Sequence, residues 1–193
     1  MVHLQRLSMG AHTPDDLQRI YAERFATNQD YRRQVWSVLV NEWFSRYLTP
    51  TDTILDLGCG YGEFINTVRS PRKLAMDLNP DAPRLLAPDV QFLHQDCSAP
   101  WQLPDASLDV VFTSNFFEHL PDKAALGRTL DEIHRCLRPG GRLVAMGPNI
   151  RYLPGAYWDF WDHYVALSDA SLKEALVNRQ FAVDVCIGRF LPY

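Results

Sequence analysis

The run Ile54-Leu55-Asp56-Leu57-Gly58-Cys59-Gly60-Tyr61-Gly62-Glu63-Phe64 can bring backbone very close to a nucleotide-like ligand. It reads as a short buried strand carrying an acidic residue near its end, a glycine-rich turn and a helix start. The glycine spacing chooses among ligands. A dinucleotide site wants G-x-G-x-x-G, whose third glycine packs helix against strand. Here the glycines are Gly58, Gly60 and Gly62, and Glu63 stands where that third glycine would be. A carboxylate at that point would face a pyrophosphate. The Gly-Lys-Ser/Thr ending of a phosphate-cradling loop is also missing. The turn therefore suits a nucleoside ligand without phosphates. Asp77, about 20 residues further on, is placed to accept both hydroxyls of a ribose.

Two later segments carry groups that can move protons. In Ser114-Asn115-Phe116-Phe117-Glu118-His119-Leu120, His119 is the general-base candidate, because its ordinary pKa lies near neutral pH. The competing reading is a helix-start histidine bonded to backbone. Glu118 reads as an orienting or capping residue. The segment Gly155-Ala156-Tyr157-Trp158-Asp159-Phe160-Trp161-Asp162-His163-Tyr164 is dense in aromatics and holds two aspartates and a histidine. It can be a pocket wall with His163 or Asp159 as base, or an amphipathic cover on a sheet. A metal site from Asp159, Asp162 and His163 is a third possibility. The pocket wall is the reading adopted, and no metal is assigned.

These residues need a scaffold, and the chain supplies alternating strands and helices. A helix start is expected at Thr13-Pro14-Asp15-Asp16, with Leu17, Ile20 and Tyr21 on one face. A second helix runs roughly from Tyr31 to Tyr47. Strands are expected at Thr53–Leu57, Lys73–Asp77, Val90–His94, Leu108–Ser114, Arg142–Met146 and Phe181–Ile187. A short helix covers Glu63–Arg69. Another starts at Asp122, carries Leu126, Leu130, Ile133 and Leu137, and stops at Pro139-Gly140-Gly141. A last one is capped by Ser168 or Asp169. Such alternation implies an α/β fold, a Rossmann-like, doubly wound, mainly parallel sheet with helices on both faces.

Composition narrows the function further. The chain has 193 residues, 47% of them hydrophobic, enough for one domain with a core. Its net charge of -4 argues against a general nucleic-acid binder. No apolar run is long enough to span a bilayer, and the N-terminus lacks an apolar signal core. The four cysteines form no C-x-x-C pair, which fits a reduced, cytoplasmic setting. Cys59 reads as a small turn residue.

Asp56, Gly58, Gly60 and Gly62 resemble motif I of the class I S-adenosylmethionine-dependent methyltransferases, acidic-x-G-x-G-x-G. The stretch Leu103-Pro104-Asp105-Ala106-Ser107-Leu108-Asp109-Val110-Val111 is similar to a segment of many small-molecule methyltransferases. So are Glu118-His119-Leu120 and Leu137-Arg138-Pro139-Gly140-Gly141-Arg142-Leu143. The resemblance spans roughly Asp52 to Phe190. It implies S-adenosyl-L-methionine as cofactor, with Asp77 on the ribose, Leu78 on the adenine face, and Asp96 and Cys97 at the adenine edge. It places Asp56, Gly58, Cys59, Gly60 and Gly62 around the turn. Ser114, Asn115 and Phe116 would lie by the methionine part, with Phe116 able to shield the sulfonium. His119, His163 and Asp159 are the expected catalytic residues.

The resemblance divides the chain into an N-terminal helical cap (1–50), a cofactor-binding core (51–148), a substrate-side insertion (149–167) and a last helix and strand (168–193). Arg24, Phe25 and Tyr31 of the cap would help close over the ligands. The implied reaction is methyl transfer to a small-molecule or lipid-like acceptor, without nucleic acid or membrane span, in a possible homodimer. The sheet of this class usually has a seventh, antiparallel edge strand. Six strands are expected here, so either the chain is shortened or a partner covers that edge. At Gln180-Phe181 many relatives have Gly-Phe, so Asn178 or Gln180 takes the left-handed cap instead, at little cost if Asn178 does it. A non-catalytic cofactor-binding or partner-binding module and a nicotinamide-dependent dehydrogenase are the alternative functions. The latter is weakened by Glu63 and by the lack of a Tyr-x-x-x-Lys pair.

Overall fold

A computed structural model describes residues 29–190. The expected helix at Thr13, the cap residues Tyr21, Arg24 and Phe25, and the last three residues lie outside that range. The described chain begins with helix α1, Gln29–Val38, which continues as a π-helical turn over Leu39–Trp43 and a 3-10 turn over Phe44–Tyr47. The expected single helix is thus one rod that changes winding twice. There follow β1 (Thr53–Leu57), α2 (Glu63–Thr67), β2 (Arg72–Asp77) and β3 (Val90–His94). Next come β4 (Leu108–Ser114), α3 (Lys123–Cys136), β5 (Leu137–Met146) and α4 (Asp169–Val177).

The five strands form one parallel sheet in the order β3-β2-β1-β4-β5. Both its faces are covered, so the strands are apolar almost throughout. Leu55, Leu57, Leu74 and Val111 pack toward Leu126, Leu130 and Ile133 of α3. On the other face Ile54, Ala75, Val110 and Phe112 meet Phe64, Ile65, Val40 and Phe44. The Phe64 and Phe112 rings stack with centroids 3.6 Å apart. The strand order reverses between β1 and β4, and ligands of open α/β sheets bind outside the carboxyl ends at such a point. No helix among the described residues is long and apolar enough to cross a membrane.

Three local expectations are corrected or narrowed. α3 ends at Cys136, one residue early, and β5 begins at Leu137, five residues before the expected start. Pro139 pushes Arg138 out of the helical region, and Leu137 pairs with Leu108 before a register shift. The left-handed residue after α4 is Gln180 (φ 64°), while Asn178 stays helical. Phe181 N–H then returns to the Leu176 carbonyl.

The third correction is larger: residues 181–187 form no strand. Side chains hold that segment instead. Phe181 packs on His134, Asn149 Nδ2 donates to the Gly188 carbonyl at 3.0 Å, and Phe190 sits 4.9 Å from the Trp43 ring. The apolar alternation that suggests a strand serves these separate anchors.

Caps follow sequence chemistry more closely. Asp122 accepts the Ala125 N–H at the start of α3, and Ser168 with Ser171 makes a capping box on α4. Asp109 accepts the Thr53 N–H at 2.6 Å and pairs with Arg138, which ties the starts of β1 and β5 to β4.

Candidate functional site

The glycine turn sits at the carboxyl end of β1, where the sheet order reverses. Gly58, Gly60 and Gly62 all have positive φ, 68°, 51° and 73°, a region that favours glycine. Gly58 and Cys59 both donate to the Met76 carbonyl, at 2.9 and 3.2 Å. The turn is thereby stitched to β2. The neighbours differ from glycine to glycine. A Cβ on Gly58 would lie 2.3 Å from the Phe116 ring, whereas one on Gly60 would meet nothing within 4 Å among the described residues. Gly58 makes room for a side chain from the end of β4, and Gly60 leaves open space beside the turn. Glu63 is turned to α1, where Arg32 pairs with it at 2.6 Å.

Two carboxylates converge here. Asp77, ending β2, accepts the Gly60 N–H through Oδ2 and the Asn79 N–H through Oδ1, each at 2.8 Å. Asp56 is buried in β1. Burial first, then the negative charge of Asp77, raises its pKa well above the ordinary carboxylate range. A ligand carrying a cationic group would relieve that cost. Ser114 Oγ, at the end of β4, and Thr113 Oγ1 before it are buried without hydrogen-bond partners among the described residues. Polar groups left this way await a ligand or water. The site residues therefore fit an amino-acid-bearing nucleoside. Burial, then Asp56, drives the Cys59 thiol pKa upward, which leaves it inert at neutral pH.

The expected adenine-side residues sit next to one another. His94 Nε2 meets the Leu78 carbonyl at 2.9 Å, and the Leu78 side chain is 62% exposed. Asp96 is exposed and accepts the Ser98 N–H, while Cys97 is buried with its thiol pushed up to about 11 by burial.

The far side of the site is built from the end of β4 and the segment before α4. Asn115 adopts φ 48° and its N–H bonds to the Met146 carbonyl, turning the chain sharply into a 3-10 turn, Phe117–His119. Glu118 is only 2% exposed. Its Oε1 accepts the Tyr157 hydroxyl at 2.8 Å, and its carbonyl accepts the N–H groups of Tyr164 and Val165. Burial pushes its pKa to about 7.

His119 Nδ1 lies 3.0 Å from the Asp162 carbonyl and 3.3 Å from Asp162 Oδ2. His163 Nδ1 lies 2.7 Å from the Tyr157 carbonyl, and the two imidazoles are 4.9 Å apart. Ligand atoms of His119, Asp162 and His163 all fall within 4.8 Å of one another.

The structure thus brings His119 and His163 together, but not Asp159. The 3-10 turn Ala156–Asp159 leaves Asp159 exposed, and Asp162 takes the place beside the histidines. Sequence reading chose between two aspartates three residues apart and had no local signal to separate them. Glu118, an orienting or capping residue by sequence, braces the segment through the Tyr157 hydroxyl, a pairing across 39 residues that spacing does not show.

The five-stranded parallel sheet carries a glycine turn after β1, a buried acid in β1, a half-buried acid ending β2 and a polar cluster beyond β4, and its Rossmann-like α/β fold is that of solved S-adenosylmethionine-dependent methyltransferases. Residues 55–145 match the methyltransferase domain family. A probable S-adenosylmethionine-dependent methyltransferase of Mycolicibacterium smegmatis is 33% identical over 144 residues, 71% of this chain and 54% of that protein. The 2-methyl-6-phytyl-1,4-hydroquinone methyltransferase of Synechocystis is 35% identical over 130 residues, 60% of this chain and 38% of that one. The chain therefore spans about half or less of these curated relatives. A crystal structure of an Archaeoglobus fulgidus S-adenosylmethionine-dependent methyltransferase shares the fold with a TM-score of 0.66 at 23% identity, covering 86% of this chain and 74% of that one. The cofactor of the class is S-adenosyl-L-methionine.

Proposed function

We propose that the chain transfers the sulfonium methyl of S-adenosylmethionine to a small, largely apolar acceptor bearing a hydroxyl. One observation carries the reading: Asp56 and Asp77 flank a glycine turn whose Gly60 side is open. Asp77 holds the ribose hydroxyls, and Asp56 faces the ammonium of the methionine part. Leu78, Asp96 and Cys97 border the adenine. Ser114 and Asn115 bond the methionine end, and Phe116 walls the sulfonium, where an aromatic face attracts a cation.

The donor is already activated by its positive charge. The protein mainly aligns nucleophile, methyl and sulfur, and such alignment supplies roughly 7–11 kcal/mol. The acceptor oxygen forms a bond to the methyl carbon, the carbon–sulfur pair returns to sulfur, and the acceptor proton leaves at the His119–Asp162–His163 cluster. The aromatic segment supports an apolar acceptor, since Phe160, Tyr164 and Trp161 (85% exposed) remain open to solvent beside that cluster. The hydroquinone acceptor in the name of the Synechocystis relative points the same way.

Calorimetry with S-adenosylmethionine tests the reading. Saturable binding is expected, with strong losses in Asp77→Ala and in Gly60→Arg, which would fill the open side of the turn. Absence of binding by the unmodified protein at millimolar cofactor would sink it.

A further inference from the structure

We propose that His119, Asp162 and His163 hold one divalent first-row transition cation at the acceptor end of the sheet. The donors are two imidazoles and one carboxylate, with ligand atoms within 4.8 Å of one another. That mixture suits zinc, manganese, cobalt or iron(II), whereas magnesium and calcium prefer all-oxygen sets. Three protein ligands leave positions open for a substrate oxygen.

An independent feature points the same way. Each ring presents Nδ1 to a backbone carbonyl: His119 to Asp162 at 3.0 Å and His163 to Tyr157 at 2.7 Å. A carbonyl can only accept, so Nδ1 of neutral His163 carries the hydrogen and its lone pair is on Nε2, while His119 Nδ1 also lies 3.3 Å from Asp162 Oδ2. Metal-binding histidines are oriented by such outer bonds. The support extends one layer further. The Tyr157 hydroxyl donates to buried Glu118, and the Glu118 carbonyl accepts from Tyr164 and Val165. The turn bearing His119 is thus pinned to the segment bearing the other two ligands. Donors around a zinc-sized ion stand about 3.3 Å apart. Side-chain adjustments on the order of 1 Å would complete the site.

This inference rests on the proposed methyl transfer, with the acceptor entering here. An acceptor hydroxyl bound to the cation releases its proton to water at a lower pH. The resulting oxygen lone pair forms the bond to the methyl carbon, the carbon–sulfur bond breaks with its pair on sulfur, and the sulfonium becomes a neutral thioether. The cation undergoes no redox change.

Cobalt(II) is the probe, added to chelator-treated protein and read by visible absorption. Expected are d–d bands that saturate at one equivalent, weakened by about 10–100-fold in His163→Ala and in Asp162→Asn. Asp159→Asn keeps them. Circular dichroism checks each variant, and His119→Gln replaces any that fails to fold. Three results would overturn the site: no saturable bands at millimolar cobalt, bands that survive both substitutions, or a thiolate charge-transfer band marking exposed Cys186 as the ligand. S-adenosylmethionine calorimetry on the same samples separates the two readings. Cofactor binding without cobalt bands rejects the cation alone, and loss of cofactor binding rejects the methyltransferase reading.

Discussion

The Gly60 N–H donates to Asp77 Oδ2 across 2.8 Å, so the glycine turn after β1 and the acid ending β2 form one hydrogen-bonded unit. The carboxylate proposed to hold the ribose is therefore positioned by the same turn that gives the ligand room. A change on either side is felt on the other.

The glycines of that turn are expected to separate steric from conformational demand. Gly60→Ala meets no neighbour among the described residues, and the side chain at positive φ costs about 1–2 kcal/mol. Gly58→Ala adds a collision with the Phe116 ring. Urea unfolding should show a clearly larger loss for Gly58→Ala. Adding Phe116→Ala should recover part of it, and simple additivity of the two changes would contradict the packing described.

Asp56 sets stability against binding. Its folded pKa is raised, so its stabilising contribution is full below the unfolded value of about 3.9 and is lost as pH rises through the folded value. At pH 7 to 8 that contribution is reduced, and Asp56→Asn removes the titrating group. The variant should melt higher than the parent at pH 8, with the gap closing toward pH 4. It should also bind S-adenosylmethionine more weakly. Equal melting temperatures across that range would refute the argument.

Glu132 works in the opposite direction. Bonds from Arg135, opposed by partial burial and aided by the Trp101 N–H at 2.6 Å, hold its pKa below the usual range. A depressed carboxylate stabilises above its unfolded pKa, about 4.3, and that stability is lost as pH falls through the folded value. Glu132→Gln should cost about 1–2 kcal/mol at pH 7, and the difference should fade below about pH 4. Chemical denaturation at several pH values measures it.

Tyr157→Phe removes the bond to buried Glu118 and loosens the segment that carries Asp162 and His163. Cofactor affinity should stay within about twofold, while turnover with a hydroquinone-type acceptor falls tenfold or so, the usual size for an outer-layer contact. Calorimetry and methyl-transfer assays on one preparation would show the split. A matched loss of cofactor affinity would place Tyr157 in the wrong site.

The cofactor side was legible because its constraints are local. Three residues forced to positive φ must be glycine, strand ends carry their acids at regular spacing, and a capping aspartate or serine announces a helix within four residues. Asp56, the three glycines and Asp77 could therefore be read from Ile54 to Asp77 alone. The acceptor side could not. Whether Asp159 or Asp162 meets His119 depends on a fold-back spanning 43 residues and pinned by Glu118. Likewise, 181–187 alternates like a strand, yet pairing needs a partner edge at the right distance, and contacts to His134 and Trp43 claim the chain instead. Short-range backbone limits make the fold class and the glycine turn readable along the chain. Which side chains gather around His119 follows from packing between distant segments, which spacing does not encode.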